Sequence, residues 1–113
     1  MKYALLLYDV PSAWEGVDEA QMQELYEAYV AVNRDTNAFG GAELHPADTA
    51  KTVRLREGEL LVTDGPFAET KELLSGLYLV EADSEEQALE WASRIPTVSR
   101  MGGAVEVRRI MER

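Results

Sequence analysis

Cysteine is absent from this 113-residue chain. Disulfide frameworks, thiol nucleophiles and cysteine-bound zinc are thereby excluded, and the composition suits a reducing cytosol. There is one histidine, His45, which is too few for a two-histidine metal motif. The remaining donors are scattered carboxylates, so no metal and no other cofactor is expected. Long apolar runs are missing as well. The run from Tyr3 to Tyr8 is closed by Asp9 and Pro11, before a signal-peptide core would be complete and far short of the roughly 18 residues of a membrane span. Positive charge is scarce: eleven Lys and Arg stand against 21 Asp and Glu, for a formal charge of −10. Such a chain repels phosphate backbones and anionic lipid, so neither nucleic acid nor membrane is an expected partner. The acidic residues are spread over Glu19, Glu24, Glu27, Glu85, Glu86 and Glu90, which reads as a solvated surface. One soluble, cytoplasmic domain over residues 1–113 is expected, large enough to bury a core.

What is present alternates strands and helices. Tyr3 to Tyr8 is β-rich and apolar at every position, as in a strand buried on both faces. Asp18 with Gln21 forms a capping box ahead of Met22, Leu25, Tyr26, Tyr29 and Val32, which recur at helical spacing until Gly40-Gly41 ends the element. Ala42 to Leu44 reads as a short strand stopped by Pro46. Thr52–Arg56 and Glu59–Thr63 flank Glu57-Gly58 as a hairpin, and Leu77 to Ala82 is a further strand. A second helix starts at Asp83 or Ser84 and buries Ala88, Trp91, Ala92 and Ile95 until Pro96 stops it, and Ala104 to Ile110 closes the fold. This order predicts an α+β fold, a ferredoxin-like split β-α-β sheet with an added hairpin. Two helices cover one face of such a sheet. The other face, with Ala4, Leu6, Tyr8, Leu77 and Leu79, is apolar too, and a second copy is the simplest cover.

The most distinctive stretch is Asp64-Gly65-Pro66-Phe67-Ala68-Glu69-Thr70-Lys71-Glu72. Proline fixes its own φ and biases Gly65 toward an extended conformation, and Asp64 is placed to accept hydrogen bonds from amides just downstream. The stretch resembles the signature of the YCII-related proteins, in the subgroup called DGPF-domain proteins. Leu44, Pro46, Thr52-Val53-Arg54, Gly76 and Val105-Glu106-Val107-Arg108 are similar to that family as well. The resemblance implies a homodimer with sheets face to face, a dimeric α/β barrel, and a histidine and an aspartate as an acid-base pair.

Asp64, at the end of the apolar strand Leu60-Leu61-Val62, is the candidate general base, with a purely structural role in the turn as the plainer reading. His45 is the candidate acid partner, being the only side chain that ordinarily titrates near neutrality, although a histidine beside a proline is commonly a packing or surface residue. Arg54 points away from Val53 and Leu55 and is suited to pairing with Asp64 or clamping a carboxylate. Tyr8, at the end of the first strand, can reach the same cleft. The motif resemblance adds Pro66, Phe67 and Lys71 to the candidate substrate-binding set. Three functions follow: acid-base chemistry of the isomerase, lyase or hydrolase kind on a small organic acid; a non-catalytic ligand-binding or regulatory module, linked through the resemblance to sigma-factor signalling; or a dimerisation domain.

Overall fold

The computed structural model describes residues 1–68 and 70–113. The first strand, β1 (Lys2–Asp9), alternates strictly, with Tyr3, Leu5 and Leu7 buried and Ala4, Leu6 and Tyr8 half-buried on the opposite side. It lies inside a four-stranded antiparallel sheet of order β2-β5-β1-β6, where β2 is Ala38–Glu43, β5 Leu73–Glu81 and β6 Ala104–Arg109. β1 and β2 both run antiparallel to the β5 between them, and β5 and β6 both run antiparallel to β1. Each helical crossover therefore joins two parallel strands across an intervening antiparallel one, a split β-α-β connection. The fold is α+β.

Helix α1 (Glu19–Asp35) begins at the expected capping box. The Asp18 carboxylate accepts from the Gln21 amide at 2.8 Å, and the Gln21 side chain accepts from the Asp18 amide at 3.0 Å. The helix stops earlier than the glycine pair suggests, because the amide and hydroxyl of Thr36 both donate to the Val32 carbonyl, at 3.0 and 2.8 Å. Gly40-Gly41 lie inside β2 instead, so that strand starts at Ala38. A Cβ on Gly41 would sit 2.6 Å from the Leu77 carbonyl oxygen, and the close pairing with β5 excludes any side chain there. Leu25 and Val32 face the core, while Met22 and Tyr26, on the flank of the helical stripe, stay largely exposed.

Helix α2 (Glu85–Arg94) is capped by the Ser84 hydroxyl, which accepts from the Gln87 amide at 3.1 Å. It buries Ala88 and Ala92 with Ile95 against Tyr3, Leu5, Leu7, Val80 and Val32, forming the core on one face of the sheet. Pro96 ends α2, and it also opens a short helical turn, α3 (Pro96–Ser99), where its missing N–H is no loss at a first helical position. β5 starts at Leu73, four residues before the expected Leu77. Its early part carries a bulge: Leu7 pairs with Gly76 and Tyr8 with Leu74, leaving Ser75 as the extra residue.

β3 (Lys51–Arg56) and β4 (Glu59–Asp64) form a separate two-stranded sheet that, among the described residues, pairs with no other strand. Glu57 and Gly58 both take positive φ, 49° and 79°, the primed turn whose twist matches a tight hairpin. The outline is correspondingly broad and thin, 46 × 44 × 18 Å. Among the described residues a single chain thus presents an open sheet and a separate hairpin, and no closed barrel.

Candidate functional site

The sheet face away from the helices is floored by Ala4 and Leu6 of β1, paired with Leu79 and Leu77 of β5. At one end of this face Tyr8 lies opposite Ala104 of β6 and Leu74 of β5. A shallow groove of about 360 Å³ opens there, lined by Tyr8, Ala104, Val105 and Glu106 of the sheet and by Thr70 and Glu72 of the motif loop. The loop leads directly into Leu73, which pairs with Asp9, so the chain itself brings Thr70 and Glu72 to the end of β1. The Thr70 hydroxyl donates to the Glu72 carbonyl, which folds this end of the loop back on itself. The Glu106 carboxylate contacts the exposed Arg108 guanidinium along the same strand, and its Oε2 is buried. β6 approaches β1 so closely at Gly103 that a Cβ would collide with the Tyr8 carbonyl and the Thr97 side chain.

The opposite side of the same end holds a second polar group of residues. The Tyr29 and Thr97 hydroxyls share a hydrogen bond of 2.8 Å, and the Tyr78 hydroxyl donates to the Tyr29 carbonyl at 3.1 Å. Burial raises the pKa of both phenols: Tyr78 is pushed up to about 12, with Tyr29 and Glu43 adding to the effect, and Tyr29 moves in the same direction although its hydrogen bond with Thr97 opposes the shift. Among the described residues Oδ1 of Asp9 is buried without a hydrogen-bond partner. Both phenols stay protonated at any ordinary pH, and that of Tyr78 acts as a hydroxyl donor.

The other residues singled out from the sequence are placed as follows. Asp64 ends β4, its side chain 85% exposed and ion-paired with Lys51 across the hairpin. The motif turn is held by the backbone rather than by that carboxylate: the Gly65 amide donates to the Ala50 carbonyl at 2.8 Å, and the Thr52 hydroxyl donates to the Gly65 carbonyl at 2.7 Å. Gly65 takes φ +93° instead of the negative φ usual before proline, a region open to glycine because it has no Cβ. Arg54 stacks over the exposed Phe67 ring, 4.7 Å from guanidinium carbon to ring centre. In the hairpin register Lys51 faces Asp64 and Arg54 faces Leu61, so Arg54 and Asp64 project from opposite faces of the ribbon. His45 is exposed in the connection after β2, and Pro66 and Lys71 are exposed in the loop. Glu69, named in the motif, lies outside the described residues.

Within one chain the structure thus gathers Tyr8, Thr70 and Glu72 at the groove and leaves Arg54 and Phe67 on the hairpin, with Asp64 on the other side of that ribbon. Glu106 and the Tyr29–Thr97–Tyr78 group were not singled out from sequence. For Glu106 the signal was a lone carboxylate between Val105 and Val107, in the apolar first half of β6. Among the described residues no three His, Asp or Glu side chains come together as a metal-binding cluster. Among the described residues no helix is long and apolar enough to cross a membrane.

A protein of Rhizobium meliloti (strain 1021), described as uncharacterized, is 37% identical over 112 residues, covering 96% of this chain and 90% of that relative. The model of the YCII-related domain matches residues 1–113. Matched over its whole length, the chain belongs to the YCII-related family.

Proposed function

We propose that this protein is a cytoplasmic DGPF-type member of its family that works as a homodimer, two sheets meeting face to face as a dimeric α/β barrel, and performs cofactor-independent acid-base chemistry on a small organic acid. The observation that carries the reading is the position of the groove. It opens on the uncovered apolar face beside Tyr8 and is rimmed by Thr70 and Glu72 of the motif loop. A partner closing over that face removes water from the groove, strengthening every polar contact inside it and favouring proton transfer. Asp64 is the base in this reading and His45 its acid partner, with Arg54, Tyr8, Pro66, Phe67 and Lys71 holding the substrate. Asp64 and His45 both lie in water in one chain. The desolvation that a working carboxylate requires therefore has to come from the second subunit.

The Lys51–Asp64 pair favours a second reading, a ligand-binding or regulatory module of the sigma-factor-linked kind that the motif suggests. A solvated carboxylate held by an ammonium is a poor base but a serviceable part of a binding surface. Thermal-shift and proton-exchange measurements with a panel of small mono- and dicarboxylic acids separate the two. Turnover or exchange that Asp64→Asn abolishes, at unchanged melting temperature, supports catalysis. Ligand-induced stabilisation that survives Asp64→Asn and never yields turnover supports binding alone. A panel that neither stabilises the wild type nor exchanges protons removes the organic-acid assignment.

A further inference from the structure

Asp64-Gly65 is the only place in the chain where an aspartate or asparagine is followed by glycine. At such a pair the backbone nitrogen can attack the side chain before it, because glycine has no Cβ to crowd the five-membered ring that forms. The Asp64 side chain is 85% exposed, and it closes a strand of the two-stranded β3–β4 sheet, which pairs with no other strand among the described residues. In the folded hairpin the reacting groups are tied down. The Gly65 amide donates to the Ala50 carbonyl at 2.8 Å, the Thr52 hydroxyl donates to the Gly65 carbonyl at 2.7 Å, and the Lys51 ammonium holds the Asp64 carboxylate. We infer that Asp64-Gly65 is an isoaspartate-forming site whose rate is set by opening of the hairpin.

The step balances with water alone. The Gly65 nitrogen bonds to Asp64 Cγ while the carboxyl C–OH bond breaks, and the amide proton and that hydroxyl leave as water. Water then reopens the succinimide at either carbonyl, restoring aspartate at one and leaving isoaspartate at the other. The isoaspartyl main chain runs through the former side-chain carbons and is one methylene longer, with the α-carboxylate now free. That extra length breaks the register in which Lys51 faces Asp64 and the Gly65 amide meets Ala50. The ring does not form while Ala50 holds the Gly65 N–H, since the nitrogen must give up that proton. A two-stranded ribbon is marginal in water, and elements with little buried apolar surface open far more often than the core does. Val53, Leu55, Leu60 and Val62 are all more than half exposed, so little burial opposes the opening. Nothing in this step requires a second subunit or a ligand. A subunit packed on the hairpin slows wild type and variants alike and leaves their order unchanged.

The test follows conversion in the full-length protein and in a synthetic peptide of residues 57–71, which is also the tryptic fragment that carries the pair. Both are held warm at mildly acidic pH for several weeks. Isomerisation leaves the mass unchanged, so isoaspartate is scored by electron-transfer fragmentation and by enzymatic methylation of the isoaspartyl carboxylate. The folded protein is expected to convert at least roughly tenfold more slowly than the peptide, which lacks the Ala50 and Thr52 partners. Thr52→Val loses the tether on Gly65, and Gly58→Ala strains the distant turn at φ 79°. Each is expected to convert roughly fivefold faster than wild type, with unchanged helical circular dichroism. Equal rates in protein and peptide show that the hairpin exerts no protection and overturn the inference. Variants that convert at the wild-type rate overturn it too, since opening is then not limiting. A peptide that converts while wild type and both variants form no isoaspartate refutes the site, as does a peptide in which none forms.

Discussion

Tyr78 has lost much of its water and keeps one hydrogen bond, from its hydroxyl to the Tyr29 carbonyl. Burial is the main cause of its upward shift to about 12, from an ordinary value near 10. Below pH 10 the phenol is protonated folded or unfolded, and its full contribution is present. Between about 10 and 12 only the unfolded chain gives up the proton, so stability falls across that window and the loss is complete above it. Because the ring is only partly buried, the stability carried by this shift is discounted to about 1 kcal/mol. In Tyr78→Phe the alkaline loss measured by urea titration is expected to shrink by that amount relative to wild type. At neutral pH the same variant is expected to be weaker by about 1 kcal/mol for the missing hydrogen bond. An identical alkaline slope in both proteins contradicts the assignment. None of this was legible in the sequence, where Tyr78 and Tyr29 read as apolar strand and helix residues. The pairing depends on α1 being laid across β5, a contact 49 residues apart.

At the scale of elements, the local signals were sound wherever a side chain acted on its own neighbours. The capping box of α1, the Ser84 cap of α2 and the Glu57-Gly58 turn all act within a few residues, and all were legible. The glycines were misread because their meaning is tertiary: Gly40-Gly41 look like a helix stop, yet Gly41 serves close strand pairing. Gly103 is of the same kind. It stands one residue before β6, and a Cβ there meets the Tyr8 carbonyl, a backbone atom with no rotamer to escape into. Gly103→Ala is therefore expected to cost roughly 2–3 kcal/mol, the range of an overpacked core position. Gly58→Ala, where a Cβ meets nothing within 4 Å, is expected to cost only the strain of its positive φ, about 1 kcal/mol. Chemical denaturation of the two variants settles the ranking, and equal costs refute the close-approach account. Displacement of β6 also moves Tyr8, so Gly103→Ala is expected to weaken any ligand bound in the groove.

For the whole molecule the decisive features are its thinness and its charge. A compact chain of this length has a radius of gyration of roughly 13 Å. This one has 15.8 Å, because the hairpin extends outward and the sheet has a single helical layer. The apolar second face was legible in the sequence from Leu6, Leu77 and Leu79. The bareness of the hairpin was not, since Val53, Leu55, Leu60 and Val62 read equally well as one half of a buried pair of strands. Candidate site residues scattered for the same reason: Arg54 and Asp64 are near in sequence, but hairpin register sends them to opposite faces. Association of two chains of charge −10 is opposed by long-range repulsion that salt screens within about 10 Å at 0.1 M. Burial of Leu6, Leu77 and Leu79 is insensitive to such screening, and kosmotropic salts strengthen it. The dimer is thus expected to tighten as sodium chloride is raised, and to tighten further in sulfate at matched ionic strength. If sedimentation equilibrium shows the proposed dimer loosening with salt instead, direct ion pairs rather than apolar faces hold the subunits.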